Sequence, residues 1–300
     1  MSLRAMLRRL DERLVAPGPS YRLREVRALL AVVMGIRLAT KDWTLLSERP
    51  ASLTGGLGFL SWVPEPVPAP VVVTLQVAGL VGVVLVVLNV RVRTAFLVTW
   101  LAYASLAALW GSSGKVMHNE VLTVTIAFVF LFAAAPGRRE PASWAVRWGW
   151  PPRAALMVLA TVYALTGLQK LRHSGPAWVF SDNMAWVLRQ GHSPFLPEVA
   201  RVVAQHDWLS RSLAGGAILL ELTAPLWLAF RRTRGLFALG SVAMHGSVWL
   251  FLGLDYSAWA MTAIAVAVPM SLLPTRSLFP WRDRSDLLTS SDDVSARAVA

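Results

Sequence analysis

The chain has 300 residues, 55% of them hydrophobic and 15% charged, with a mean hydropathy of +0.52. Soluble domains carry roughly 25% charge, so this composition excludes an ordinary one. A net charge of +12 would suit nucleic acid, but the arginines lie in a tail and in short loops between apolar runs, where orientation signals lie. No basic patch is interleaved with base-stacking aromatics, so no nucleic-acid partner is expected. Cysteine is absent, which excludes a disulfide framework, thiolate metal ligation and a cysteine nucleophile.

Residues 1–25 place Leu3, Met6, Leu7, Leu10 and Leu14 at helical spacing, with Arg4, Arg8, Arg9 and Arg13 mostly on the other face. This reads as an amphipathic cytoplasmic segment on an anionic inner leaflet, the alternative being a charged cytosolic tail. It lacks the short apolar core and small-residue site of a cleavable signal peptide. Apolar runs follow at about 26–46, 71–90, 94–111, 118–135, 153–171, 212–230, 235–252 and 257–273. The first holds Arg37 and is the weakest span. The loop 47–70 is rich in Gly and Pro, which break helices. Residues 136–152 read as a polar connection. The stretch 172–211, with Trp178, Trp186 and Trp208, suits a helix lying at the membrane interface. The tail 274–300 is polar, and disorder is expected there.

A hydrocarbon core about 30 Å thick needs roughly 20 apolar residues per helix. The expected fold is therefore all-α: a polytopic transmembrane bundle of about eight helices over 26–273, in a cell membrane. Alternate short loops are arginine-rich: Arg22/Arg24/Arg27, Arg91/Arg93, Arg138/Arg139/Arg147, Arg231/Arg232/Arg234 and Arg276/Arg282/Arg284. Those loops, and with them the N and C termini, are expected on the cytoplasmic side.

Ionisable groups in or beside apolar runs are costly in lipid and face a cavity, a partner or a pathway. Here they are Lys115, His118, Asn119 and Glu120 at the start of the fourth run, Lys170 and Arg172 at the end of the fifth, Glu221 in the sixth, His245 in the seventh and Asp255 after it. At 1.5 Å per residue, Lys170 lies roughly 25 Å above its cytoplasmic start, Glu221 roughly 13 Å below the outer boundary and His245 roughly 15 Å up. All fall in the outer half of the expected bundle and would form a polar funnel if they face inward. Tyr163, Thr166 and Lys170 share a helix face, as do Ser241 and His245. The alternatives are snorkelling for Lys115, Arg172 and Asp255, helix N-terminal capping for Glu120, and interhelical hydrogen bonding for Glu221 and His245. Two imidazoles without an HExxH-type pattern do not point to a metal.

At these residues the chain resembles a known family. The stretch 164–178, ALTGLQKLRHSGPAW, is similar to the GxxKL…W segment of vitamin K-dependent gamma-carboxylases and their bacterial HTTM-domain relatives. MHNEVL at 117–122, LELTAP at 220–225 and AMHGSVWLFLGLDYSAW at 243–259 resemble three further segments in the same order. The resemblance spans about 26–273.

The resemblance implies that Lys170 acts as a base on a reduced naphthoquinone, a menaquinol-like cofactor, with His118 assisting and His245 as the second helix histidine. The candidates for a quinone or substrate pocket are Asn119, Glu120, Tyr163, Trp178, Glu221 and Asp255, and no metal is expected. In the family the reduced quinone reacts with oxygen to give a strong base that removes a glutamate side-chain proton for carboxylation, at a site facing the lumen. An apolar pocket disfavours an ammonium, which is how a lysine can serve as base toward a phenol. The expected function is a quinol-linked oxidoreductase or carboxylase-like lyase with an outward-facing site. Two features depart from the family. Only 274–300 follows the last run, where the carboxylases carry a large lumenal domain, so propeptide carboxylation is not expected. The spacer 172–177 is also longer. The alternative is a non-catalytic accessory for maturation or export of a secreted peptide or partner membrane protein. A transporter is disfavoured by the lack of an internal repeat.

Overall fold

The structure is a computed structural model, and it describes residues 12, 15–50, 66–112, 118–136, 143–191 and 195–268. Nearly all of the amphipathic segment before residue 15, much of the Gly/Pro loop, Lys115, the arginines of 137–142 and the tail 274–300 lie outside the described residues. The regular structure of the described residues is helical apart from one antiparallel pairing of two-residue strands, β1 (Gly18–Pro19) with β2 (Trp144–Ala145).

The helices run in the order α1 (Ser20–Thr40), α2 (Leu45–Glu48), α3 (Ala69–Val87), α4 (Val92–Gly111), α5 (Val121–Leu131), α6 (Val146–Ser174), α7 (Ala177–Phe180), α8 (Asn183–Gln190), α9 (Pro197–Gln205), α10 (Asp207–Ala229), α11 (Arg234–Leu252) and α12 (Ser257–Ala267). Five of these, α3, α4, α6, α10 and α11, are long and apolar enough to cross a membrane. Their outer faces leave large apolar side chains uncovered. On α3, Val73, Val77, Val81 and Val84 form a stripe about half exposed, which water would penalise and lipid would not. The apolar helices α5 and α12 have 11 residues each, about 16 Å of rise.

Helix α1 is the centre of the bundle, packed against α3, α4, α5, α6 and α12. Leu23, Leu30, Met34 and Leu38 are wholly buried along it. It begins before the apolar run 26–46 because its first arginines have partners in the bundle. Arg22 donates to Val266 O (3.0 Å) in the last turn of α12, and Arg27 donates to Ala133 O and Ala134 O (3.0 and 2.8 Å) just beyond α5. Arg234 similarly donates to Leu228 O (2.8 Å) in the last turn of α10. Guanidinium groups thus meet the carbonyl-rich, negative ends of three helices.

Two other boundaries differ from the sequence reading. Helix α6 starts at Val146, inside the expected polar connection, and carries Pro151 and Pro152. Prolines there remove helical hydrogen bonds. The first turn is held instead by buried Trp148, whose Nε1 donates to Ser143 Oγ (3.0 Å), and by the strand pairing at Ala145. The stretch 172–211 is not one interfacial helix. It holds α7, α8, α9 and the start of α10, with α8 and α9 joined through Ala185, Leu188, Ala200 and Ala204 against Phe251 and Leu252 of α11. Trp186 and Trp208 are mostly exposed.

Candidate functional site

Helices α6 and α10 pack closely where Gly167 faces Glu221. A Cβ at Gly167 would lie 3.0 Å from Glu221 Cβ and 3.1 Å from Leu222 Cδ2. The missing side chain lets the two backbones approach, and Lys170, one turn further along α6, then reaches across. Lys170 Nζ donates to Glu221 Oε1 at 2.6 Å. This is a physical reading of the GxxK spacing: the glycine closes the seam and the lysine bridges it. Pro225 sits within α10 four residues after Glu221, so it offers no amide to the Glu221 carbonyl and the helix is loosened there.

The pair opens onto a cavity of about 710 Å³. Tyr163, Thr166 and Lys170 of α6 line it, with Trp178 of α7, Glu221 of α10, His245 of α11, and His118 and Tyr256 from two connections. Most of the remaining wall is apolar, from Leu213, Leu220, Met244, Val248 and Phe251 among others. Lys170 Nζ also lies 5.4 Å from the centre of the Trp178 ring, within cation–π range.

A second polar group closes one side of the cavity. The Tyr163 hydroxyl hydrogen-bonds Ser241 Oγ (2.7 Å) and His245 Nε2 (2.9 Å). Tyr256 stacks on His245, ring centres 5.6 Å apart, and its hydroxyl hydrogen-bonds His118 Nε2 (3.1 Å). Trp259 packs edge-on to His245 and donates from Nε1 to His118 O (3.2 Å). The two histidines are thus held by separate tyrosines around one aromatic cluster.

Lys170, His118, His245, Tyr163, Trp178 and Glu221, all singled out in the sequence, line this one cavity. Asn119, Glu120 and Asp255 are not on its wall. They belong to a buried ion-pair cluster around Arg37. The Arg37 guanidinium donates to Glu120 Oε1 (2.7 Å), Asp255 Oδ2 (2.5 Å) and Ser257 Oγ (3.0 Å). Glu120 also accepts from Lys41 Nζ (3.1 Å) and from the Tyr103 hydroxyl (2.5 Å), and Asn119 Nδ2 donates to Asp255 O (2.7 Å). Two cations face two carboxylates, so the cluster is neutral, and charge pairing draws these side chains toward α1 and away from the cavity. Glu120 therefore makes interhelical ion pairs, with no side-chain cap on α5. Burial opposes ionisation of Asp255, but hydrogen bonds from Ser257 and the Arg37 guanidinium outweigh it and hold this carboxyl below the ordinary range.

Sequence reasoning missed Tyr256, Trp259 and the Arg37–Lys41–Tyr103 group. Arg37 had a signal, a lone cation in an apolar run, but not the identity of its partners 83 and 218 residues away. Among the described residues no group of three or more His, Cys, Asp or Glu converges as a metal site needs. Comparison of the chain with protein-family models, curated proteins and solved structures finds no match.

Proposed function

We propose that this chain is a multi-pass membrane protein of the HTTM, gamma-carboxylase-like type, whose cavity takes a reduced naphthoquinone and removes a proton from it with Lys170. The observation that carries the reading is the Lys170–Glu221 pair, 2.6 Å apart, on the wall of a largely apolar cavity of about 710 Å³. That volume lies within the roughly 300–1,000 Å³ of small-molecule sites. The aromatic faces of Trp178, Tyr256 and Trp259 suit a flat fused ring. A bound reduced naphthoquinone would supply two ionisable hydroxyls and a two-electron redox couple. Lys170, as an ammonium, takes up a proton only after passing its own to Glu221, and the short contact makes that a small step. His245 and Tyr163 offer a second hydrogen-bonded route, with His118 at the more exposed side.

The same reading includes about eight crossings, counting α1, α5 and α12, with both termini cytoplasmic. The arginines that meet carbonyls at the starts of α1, α6 and α11 support it, because they gather opposite the Lys170 end of α6. The test is mass spectrometry of solvent extracts from protein purified out of its native membrane. A naphthoquinone retained by the wild type well above the amount carried by an unrelated membrane protein from the same cells supports the reading. Wild-type protein that carries no more quinone than an unrelated membrane protein from the same cells favours a non-catalytic accessory.

A further inference from the structure

Helices α8 and α9 carry apolar side chains on two sides, and the bundle covers only one of them. At about 100° per residue, α9 divides into three sectors. Ala200 and Ala204 are buried against α8 and the bundle, and Glu198, Arg201 and Gln205 form an exposed polar edge. Val199 and Val202, 44% and 51% exposed, form a third face that no described residue covers. On α8, Asn183, Met184, Val187 and Leu188 line the cavity. Trp186, 58% exposed, points away from Met184 and lies with exposed Arg189 and Gln190.

The depth of these faces follows from what the two helices rest on. Helix α11 has 19 residues from Arg234 to Leu252, roughly 28 Å of rise, which matches a hydrocarbon core of about 30 Å. Its last two residues, Phe251 and Leu252, pack against the α8–α9 cluster. The chain leaves α8 at Gly191, where a Cβ would lie 2.8 Å from Phe251 O, so it crosses the end of α11 in direct contact. Phe195, just before α9, packs on Trp249 of α11 with ring centres 4.4 Å apart, and Trp249 is itself exposed. Arg189 Nη2 donates to Ala204 O (3.2 Å) and ties α8 to α9. The uncovered face therefore lies at the hydrocarbon boundary, continuous with the lipid-facing surface of α11, and tryptophan favours that depth. Apart from histidines, the charges of residues 182–211 are Asp182, Glu198 and Asp207 against Arg189, Arg201 and Arg211. They balance, so no net charge selects a headgroup.

We infer that α8 and α9 are seated in the bilayer interface at the Lys170 end of the bundle, with Trp186, Val199 and Val202 immersed in lipid, and that this seat holds the cavity-lining face of α8 in place as a roof. The partner of the uncovered face is the lipid surface itself, of either headgroup charge. The inference needs only that the bundle crosses a membrane, so it stands or falls apart from the quinol reading.

The test places single cysteines in the full, cysteine-free chain and labels each with the fluorophore NBD in phosphatidylcholine nanodiscs. Quenching is measured with iodide in the water and with lipids that carry a doxyl group near the headgroup. Labels at Val199→Cys and Val202→Cys are expected to emit at shorter wavelength than one at Arg201→Cys on the same helix. They should be quenched several-fold more by doxyl lipid and several-fold less by iodide. Adding phosphatidylglycerol should change neither ratio, because the seat is apolar and the segment neutral. Iodide quenching at Val202 equal to that at Arg201 puts the face in water and overturns the seat. Protection of Val199 and Val202 from both quenchers means that protein covers the face, and it overturns the seat as well. The roof is read from the rate at which Met184→Cys, on the cavity side of α8, reacts with a water-soluble maleimide. Val199→Ser combined with Val202→Ser, which leaves the buried Ala200 and Ala204 face intact, should raise that rate several-fold. Nanodiscs of shorter-chain phosphatidylcholine, which move the boundary without altering the seat, should also change it. A Met184→Cys rate unmoved by both treatments overturns the link between seat and roof.

Discussion

Lys170 on α6 and Glu221 on α10, 51 positions apart in the chain, form an ion pair 2.6 Å long, with the Glu221 side chain 5% exposed and the Lys170 side chain 24% exposed. Removing one partner of a buried pair strands the other charge, at a cost of roughly 3–5 kcal/mol. Lys170→Met is therefore expected to destabilise the protein strongly, and Lys170→Met combined with Glu221→Gln to recover most of the loss. Thermal unfolding in detergent for both singles and the double closes the cycle. A double variant as unstable as the sum of the singles would show that the pair contributes no coupling.

Lys170→Arg separates chemistry from structure. A guanidinium keeps the positive charge opposite Glu221 but does not deprotonate at working pH. It is expected to retain expression and near-normal melting while losing activity, with a loss on the order of 10²–10⁴-fold if the lysine moves the proton. Complementation in the native host, with protein amounts checked by blot, reads this out. Full rescue by Lys170→Arg rules out lysine-based proton transfer and leaves the accessory reading.

Gly167 governs the closeness of α6 and α10. A methyl group there would press on Glu221 Cβ at 3.0 Å, so Gly167→Ala should be tolerated with a small shift and Gly167→Val should not. Overpacking of this kind costs about 1–3 kcal/mol. The expected order of melting temperature is wild type, Gly167→Ala, Gly167→Val. A Gly167→Val protein as stable as wild type would mean that the seam is not closed there.

Asp255 sets an acid limit on stability. Its carboxyl is held below its ordinary value of 3.8 in the folded protein. A depressed carboxylate contributes stability that is complete above the unfolded value and lost as pH falls through the folded one. Melting temperatures of the wild type should therefore drop as pH is lowered below about 4, and Asp255→Asn should flatten that part of the profile. Parallel profiles for the two proteins in that range would exclude Asp255 as the titrating group.

The chain contains no cysteine, so single thiols can report its orientation. Ser181 and Arg232 are both exposed, at opposite ends of α10. Ser181→Cys is expected to react with a membrane-impermeant maleimide in intact cells, and Arg232→Cys only after permeabilisation. The reverse pattern inverts the proposed topology and turns the cavity toward the cytoplasm.

The all-α class and the membrane-length helices α3, α4, α6, α10 and α11 were legible from local pattern, because crossing lipid demands long apolar runs and few charges. So was the list of suspect polar residues, since an ionisable group in an apolar run stands out by itself. Which of these meet was not legible. His118 and Glu120 are two residues apart, yet His118 turns to the cavity and Glu120 to Arg37. Asp255 and Tyr256 are adjacent and divide in the same way.

Sequence alone determined that lysine, glutamate and histidine had to be hidden from lipid. Only the tertiary structure decided that Lys170 pairs with Glu221, that Arg37 gathers Glu120 and Asp255, and that α1 lies at the centre. The physical reason is that ion pairs are chosen by which helices pack side by side. Long-range packing, through a glycine such as Gly167 or an arginine reaching another helix's carbonyls, leaves no periodic trace in the residues on either side.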